Sequence, residues 1–262
     1  MNRIALGVFC ALAVVGSAAS DAARGAEYWL ADRASFPGGV WHVNTAGRAE
    51  LSHRRQAKAD PAYPRAIMKI SQVAAAPDGA FYFVSGLDGC VLGLIDNGQH
   101  EVLAFEVEGQ IRDIACGGEE HVVYYSVVPT PQDGEPLADG KIFRRDLWQG
   151  EPAEVATIRQ ADVGGNWWGT FCVRDGVITI VTTDFTPTKV GQAPTPSRLF
   201  QLTSGVPEPI ESPNTRRILG IESDANGYLI ADGTQSIVRT VDFASFSPAL
   251  FSPVRASDVT AR

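Results

Sequence analysis

The stretches ISQVAAAPDGAFYFVSG (Ile70–Gly86) and ILGIESDANGYLIADG (Ile218–Gly233) follow one pattern: a short apolar run, a tight turn, then a strongly β-prone run. Looser copies are IRDIACGGEEHVVYYSVV (Ile111–Val128) and WWGTFCVRDGVITIVTT (Trp167–Thr183). A fifth copy is divided between EYWLADR (Glu27–Arg33) and ASDVTAR (Ala256–Arg262). Aligned on Gln72, Asp113, Gly169, Gly220 and Asp258, the copies recur at intervals of 41, 56, 51 and 38 residues. A propeller blade takes about 40–45 residues. The two long intervals each hold an insert without strand alternation, Pro129–Gly140 and Asp184–Ser197. With those set aside, the unit is near blade length throughout.

Each unit reads as four strands. In the second, Ile70–Ala76 turns through Pro77-Asp78-Gly79 into Ala80–Ser85, then through Leu87-Asp88-Gly89 into Cys90–Ile95. Asp96-Asn97-Gly98 leads into Glu101–Val107. Asp-Gly and Asn-Gly pairs supply the positive backbone angles of tight hairpins, and the intervening runs are rich in Val, Ile, Phe and Tyr. No stretch of ten residues carries a capped helical period. The pattern predicts an all-β chain, a β-propeller of five four-stranded blades.

The divided copy predicts how the ring closes. Glu27–Asp32 begins in second-strand pattern, and Ala256–Arg262 has first-strand character with nothing after it. One blade shared by both ends satisfies each and leaves no open sheet edge. The predicted blades are Glu27–His53 with Val254–Arg262, then 67–108, 109–160, 161–213 and 214–253. A six-bladed ring with one degenerate unit, or a β-sandwich, is the alternative.

Residues 1–19 read as an export signal. Arg3 precedes an apolar stretch, Ile4–Val15, too short to span a bilayer, and Ser17-Ala18-Ala19 fits a cleavage site. Residues 20–262 are then a single propeller domain, exported to the periplasm or the medium. No later segment is apolar enough for a membrane span. The net charge of −8 gives no electrostatic footprint for nucleic acid or an anionic membrane. Removing the leader leaves Cys90, Cys116 and Cys172, which read as buried free thiols; a bridge between Cys116 and Cys172 is the other possibility, since both lie three residues after an alignment position.

The run Ile-x-Gly-Ile-x-x-Asp-x-x-Gly-Tyr-Leu-Ile-Ala-Asp at 218–232 resembles the repeat of the NHL and SMP-30/gluconolactonase-like propellers, as do Pro77-Asp78-Gly79 and Leu30-Ala31-Asp32. The resemblance implies a propeller, usually six-bladed, and in its lactonases a divalent metal held by a carboxylate or asparagine just before the aligned residue of particular first strands. The matching positions here are Ser71, Arg112, Trp168, Leu219 and Ser257. None suits a hard cation, and Arg112 would repel one. No metal or other cofactor is therefore expected, and the lactonase chemistry is not carried over.

Other catalytic signatures are thin. His42, His53, His100 and His121 have no metal-ligand spacing, and there is no GxSxG elbow, P-loop or GxGxxG fingerprint. Asp32, Asp113, Asp232 and Asp258 could face the channel as acid and base groups, but paired-carboxylate hydrolysis needs a defined separation.

The candidate site comes from repeat phase. Both inserts leave second strands and the long connection Arg54–Ala66 enters a first strand, so all three extend one face. Lys69, Arg217 and Arg255 stand three residues before alignment positions, with Asn166 in the same phase. Second strands end near Asp32, Ser85, Ser126, Thr182 and Asp232. Cation–carboxylate pairing between blades explains these sets without a ligand. As a binding face, Asp32, Lys69, Arg112, Asn166, Trp168, Arg217, Asp232 and Arg255 would hold a small polar or anionic ligand or a partner protein. Trp168 would offer a stacking surface; Trp167 is expected in the packing between blades. The functional expectation is a non-catalytic exported binding protein. The alternative is a gluconolactonase-like hydrolase or lyase acting on a small polar substrate in the channel.

Overall fold

The computed structural model describes residues 12–15, 27–32, 39–43, 49–54, 61–62, 70–76, 81–85, 91–96, 100–119, 121–129, 135–147, 150–185, 195–212, 217–224, 227–232 and 237–248. Among them every regular element is a strand, and the strands form five antiparallel four-stranded sheets. The first sheet holds β1 (Leu12–Val15), β2 (Glu27–Asp32), β3 (Gly39–Val43) and β4 (Ala49–Arg54). The second holds β5 (Ile70–Ala75), β6 (Phe81–Ser85), β7 (Val91–Asp96) and β8 (His100–Glu106). The third holds β9 (Ile111–Cys116), β10 (Val122–Val127), β11 (Gly140–Asp146) and β12 (Ala153–Ile158). The fourth holds β13 (Phe171–Arg174), β14 (Val177–Thr182), β15 (Arg198–Thr203) and β16 (Val206–Pro209). The fifth holds β17 (Ile218–Asp224), β18 (Gly227–Asp232), β19 (Ile237–Thr240) and β20 (Ser247–Pro248).

Each sheet is a meander, so it can close only on itself and must bury its two faces against its neighbours. The first strands do this in cyclic order: β1 lies beside β5, β5 beside β9, β9 beside β13, β13 beside β17, and β17 beside β1. This is a β-propeller. Tight hairpins form where the sequence supplies left-handed residues. Asp175 and Gly176 both have positive φ, 51° and 76°, as do Ser204 and Gly205 at 53° and 81°. Such turns match the right-handed twist of the strands they join. The predicted turns at 77–79, 87–89 and 96–98 lie largely outside the described residues.

Side-chain alternation splits the core into layers between blades. Tyr82, Val84, Ile114 and Tyr125 fill the layer between the second and third sheets. Trp167, Phe171, Ile142 and Ile158 fill the next. Cys172, Val181, Ile221 and Ile230 fill the layer between the fourth and fifth. Polar hooks near the axis tie the same layers together. Gln72 Nε2 donates to the Arg112 carbonyl at 2.8 Å, and Ser126 Oγ to that of Gly169 at 2.7 Å. Thr183 Oγ1 donates to the Ile218 carbonyl at 2.6 Å, and Ser223 Oγ to that of Val173 at 2.7 Å.

Two expectations change. The place beside β2 expected for Ala256–Arg262 is held by Leu12–Val15, within the predicted leader; Leu12 pairs with Leu30 and Val15 with Glu27. Four apolar residues, two of them β-branched, suit an inner strand as well as they suit a leader. The tail itself lies outside the described residues. Second, Phe171 faces the third sheet as Ile114 faces the second, so alternation moves the fourth alignment position from Gly169 to Thr170. Cys116 and Cys172 are not joined by a disulfide, as expected. Cys116 packs toward the second sheet and Cys172 toward the fifth, so they face different layers and cannot approach to bridging distance.

Candidate functional site

First strands begin at one end of the ring, and there the chain collects its unusual side chains. β5, β9 and β17 each shift register near their start, between Ile70 and Gln72, Ile111 and Asp113, and Ile218 and Gly220. The extra residue is Ser71, Arg112 or Leu219. A bulge re-aims the residue it carries. Arg112 Nε donates to the Val128 carbonyl at 3.4 Å, and its stem lies against Gly169. Gly169 has φ +100°, and a Cβ there would meet the Arg112 stem and come within 2.8 Å of Ser126 Oγ. Only glycine lets the chain turn from Trp168 into β13 so close to Arg112.

Trp167 and Trp168 then part company. Trp167 is fully buried in the layer between the third and fourth sheets, with Nε1 donating to the Thr170 carbonyl at 3.1 Å. Trp168 is half-buried, and its ring meets Phe185 edge-on with centroids 5.7 Å apart. The Arg217 guanidinium lies over the same Phe185 ring, 5.0 Å from its centroid. Trp168 Nε1 and Arg217 Nε are both buried, with no hydrogen-bond partner among the described residues. Buried donors are ordinarily satisfied. These two donors flank one aromatic ring.

Of the other expected residues, Asn166 is exposed, with φ 63°, and its carbonyl accepts from the Thr183 N–H at 3.0 Å. It shapes the turn into β13. Asp32 and Asp232 sit at the ends of β2 and β18, opposite Gly39 and Ile218. Lys69 and Arg255 lie outside the described residues. Phe185 was not anticipated; it follows β14 at the start of an insert read only as irregular.

A second cluster sits deeper, on the first strands. Asp113 Oδ1 accepts from the Ile114 N–H at 3.0 Å, and Oδ2 from the Phe171 N–H at 3.2 Å, so it spans β9 and β13. Burial raises its pKa from 3.8 to about 7, against the pull of those two donors. Glu222 on β17 is pushed well above the usual carboxylate range, first by burial and then by the charge of Asp113. Cys172 is pushed up by burial and by both carboxyls. Aligned by strand, the residues after the buried Val73, Ile114, Phe171 and Ile221 are Ala74, Ala115, Cys172 and Glu222. Glu222 is a carboxyl where the other blades place a small, uncharged side chain. No group of three or more metal-ligating side chains occurs among the described residues.

No family model matches this sequence, and no curated protein is significantly similar to it. Similar solved structures include the hydrazine synthase of Kuenenia stuttgartiensis, 14% identical over 81% of this chain, with a TM-score of 0.45. Another is the tricorn protease, 12% identical over 91%, with a TM-score of 0.48. A third is XC5397 of Xanthomonas campestris, described as a gluconolactonase, 13% identical over 78%, with a TM-score of 0.48. The chain spans 61%, 27% and 64% of those three chains.

Proposed function

We propose that this chain is an exported, non-catalytic β-propeller that binds a small molecule carrying an anionic or polyhydroxylated group at its loop-bearing end, over Trp168, Phe185 and Arg217. The observation that carries this reading is the pair of buried donors with no partner among the described residues, Trp168 Nε1 and Arg217 Nε, on either side of one ring. Leaving such donors unsatisfied costs about 1–3 kcal/mol each, which a bound acceptor would return. A carboxylate or vicinal hydroxyls could span both donors, while a flat face rests on the aromatic rings.

A thermal-shift screen over organic acids, sugars, lactones and divalent cations tests the reading, because a ligand of the folded state raises the melting temperature. Trp168→Phe keeps the ring and removes the N–H; Arg217→Lys keeps the charge and removes Nε. Each is expected to weaken the discovered ligand about tenfold or more, with little change in the melting temperature of the free protein. Unchanged affinity in both variants would refute the site.

Hydrolysis or lysis in the channel is the second reading, favoured by Asp113 and Glu222, two carboxyls shifted toward neutrality. Against it, both Asp113 oxygens already accept backbone donors. Turnover of a lactone that is lost in Glu222→Gln, with unchanged melting temperature, would establish this reading over the first.

A further inference from the structure

Several cations of this chain have acids of their own. Lys141 meets Glu154 at 2.6 Å, Arg159 meets Asp162 at 2.9 Å, Arg174 meets Asp175 at 3.6 Å, and Arg144 meets Glu119. Carboxylates are plentiful, with 30 Asp and Glu against 22 Lys and Arg. Arg217 has none of them. Its half-buried guanidinium rests on the Phe185 ring, and among the described residues no carboxylate pairs with it. A positive charge held back from water without a counter-ion is costly.

The edge left open has a shape. Nε lies on the flank of the guanidinium, where Nε–H and one Nη–H point the same way. That flank matches the two oxygens of a carboxylate, and hydrogen bonds to an ionised acceptor are about twice as strong as neutral ones. Trp168 Nε1 adds one more buried donor beside Phe185. Sugar hydroxyls could satisfy these donors, but they would leave the charge of Arg217 uncompensated.

The charge on offer is also single. Arg112, on the bulge of β9, gives Nε to the Val128 carbonyl at 3.4 Å, and Arg198 lies over Phe200. Further along the inner strands stand Asp113 and Glu222, which burial holds toward their neutral forms and which bring no positive charge. A dianion such as a phosphate ester would carry a second charge that no described residue neutralises.

We infer that the ligand held by Trp168 and Arg217 is a small monocarboxylate, rather than a sugar or a phosphate ester. One carboxylate lies along the Nε flank of Arg217 and accepts from Trp168 Nε1, and the rest of the molecule meets the aromatic rings. The inference rests on the reading of these residues as a binding site and narrows it to one class of ligand.

Titration calorimetry on the full chain tests it with sodium benzoate, benzamide, phenyl phosphate and glucose at constant ionic strength. Benzoate is expected to bind at least about tenfold more tightly than each of the other three. Arg217→Gln keeps an amide donor and removes the charge, so the preference for benzoate over benzamide should fall to near unity. That ratio is read within one protein and does not follow a general loss of stability. Arg217→Lys, a second variant should the first not fold, keeps the charge without the flank and should weaken benzoate about tenfold. Benzamide, phenyl phosphate or glucose binding as tightly as benzoate, or no benzoate binding at about 10 mM, would overturn the assignment. If glucose binds instead and is lost in Arg217→Gln, the carboxylate fails and the site stands. If benzoate binds and neither Arg217 variant alters it, the site fails too.

Discussion

Trp167→Ala is expected to cost about 3–5 kcal/mol of folding stability and to lower the melting temperature by roughly 10 °C. Trp167 heads the largest fully buried side chains and packs with Phe171, Ile142 and Ile158 where the third and fourth sheets meet. Its backbone is held as firmly as its ring. Trp167 N–H donates to Gln160 Oε1 at 3.1 Å, and Gln160 Nε2 donates back to the Trp167 carbonyl at 2.9 Å. The alanine side chain would leave a large cavity walled by two rigid sheets, which have little freedom to collapse. Trp167→Phe should recover much of the loss, since it refills most of the volume and forfeits only the bond to Thr170. Chemical denaturation of the three proteins measures the order; an alanine variant within 1 kcal/mol of wild type, about the cost of a mild surface change, would contradict this account of the core.

The second large effect is a pH dependence with an unusual sign. Asp113 rests near 7 in the folded chain, against 3.8 for a free side chain. Between about pH 4 and pH 7 the folded state therefore holds a proton that the unfolded chain has already released. The contribution of this group is complete below pH 4 and is lost as the pH rises through 7. Glu222, shifted in the same direction, adds to the fall. The expected loss is on the order of 2 kcal/mol after allowing for the partial exposure of Asp113. Subtracting Asp113→Asn from wild type at each pH isolates the group. Asparagine offers one accepting oxygen to two N–H donors, those of Ile114 and Phe171. The variant should thus begin about 1–3 kcal/mol less stable at pH 5 and lose less than wild type on the way to pH 8. A difference that stays flat across that range would show Asp113 to be ionised throughout.

The architecture was legible because it rests on repetition. Val73, Ile114, Phe171 and Ile221 recur at one position, and a fault in a single copy cannot hide the others. Legibility failed wherever a residue had to be counted through a bulge. In the fourth sheet the count slipped from Thr170 to Gly169, and with it the pairing logic for Cys116 and Cys172. Trp168 and Arg217 were identified from phase alone, but their meeting on Phe185 was not, because an irregular insert has no period from which to read a contact. Glu222 carried a signal that went unused: a carboxyl in line with Ala74, Ala115 and Cys172. Composition by column, rather than spacing, would have marked it. The leader was read from its charge and its apolar length, and neither property distinguishes a leader from the strand Leu12–Val15.

The hooks near the axis bear on how the molecule comes apart. Gln72 reaches Arg112, Ser126 reaches Gly169, Thr183 reaches Ile218, and Ser223 reaches back to Val173. A stack of repeats joined only end to end can fray from its last member inward. Here no described blade is last. Losing one strips apolar surface from two neighbours at once, so partial melting gains little chain entropy while exposing two layers. Such a molecule has no cheap half-open form, and its blades should survive or fail as one.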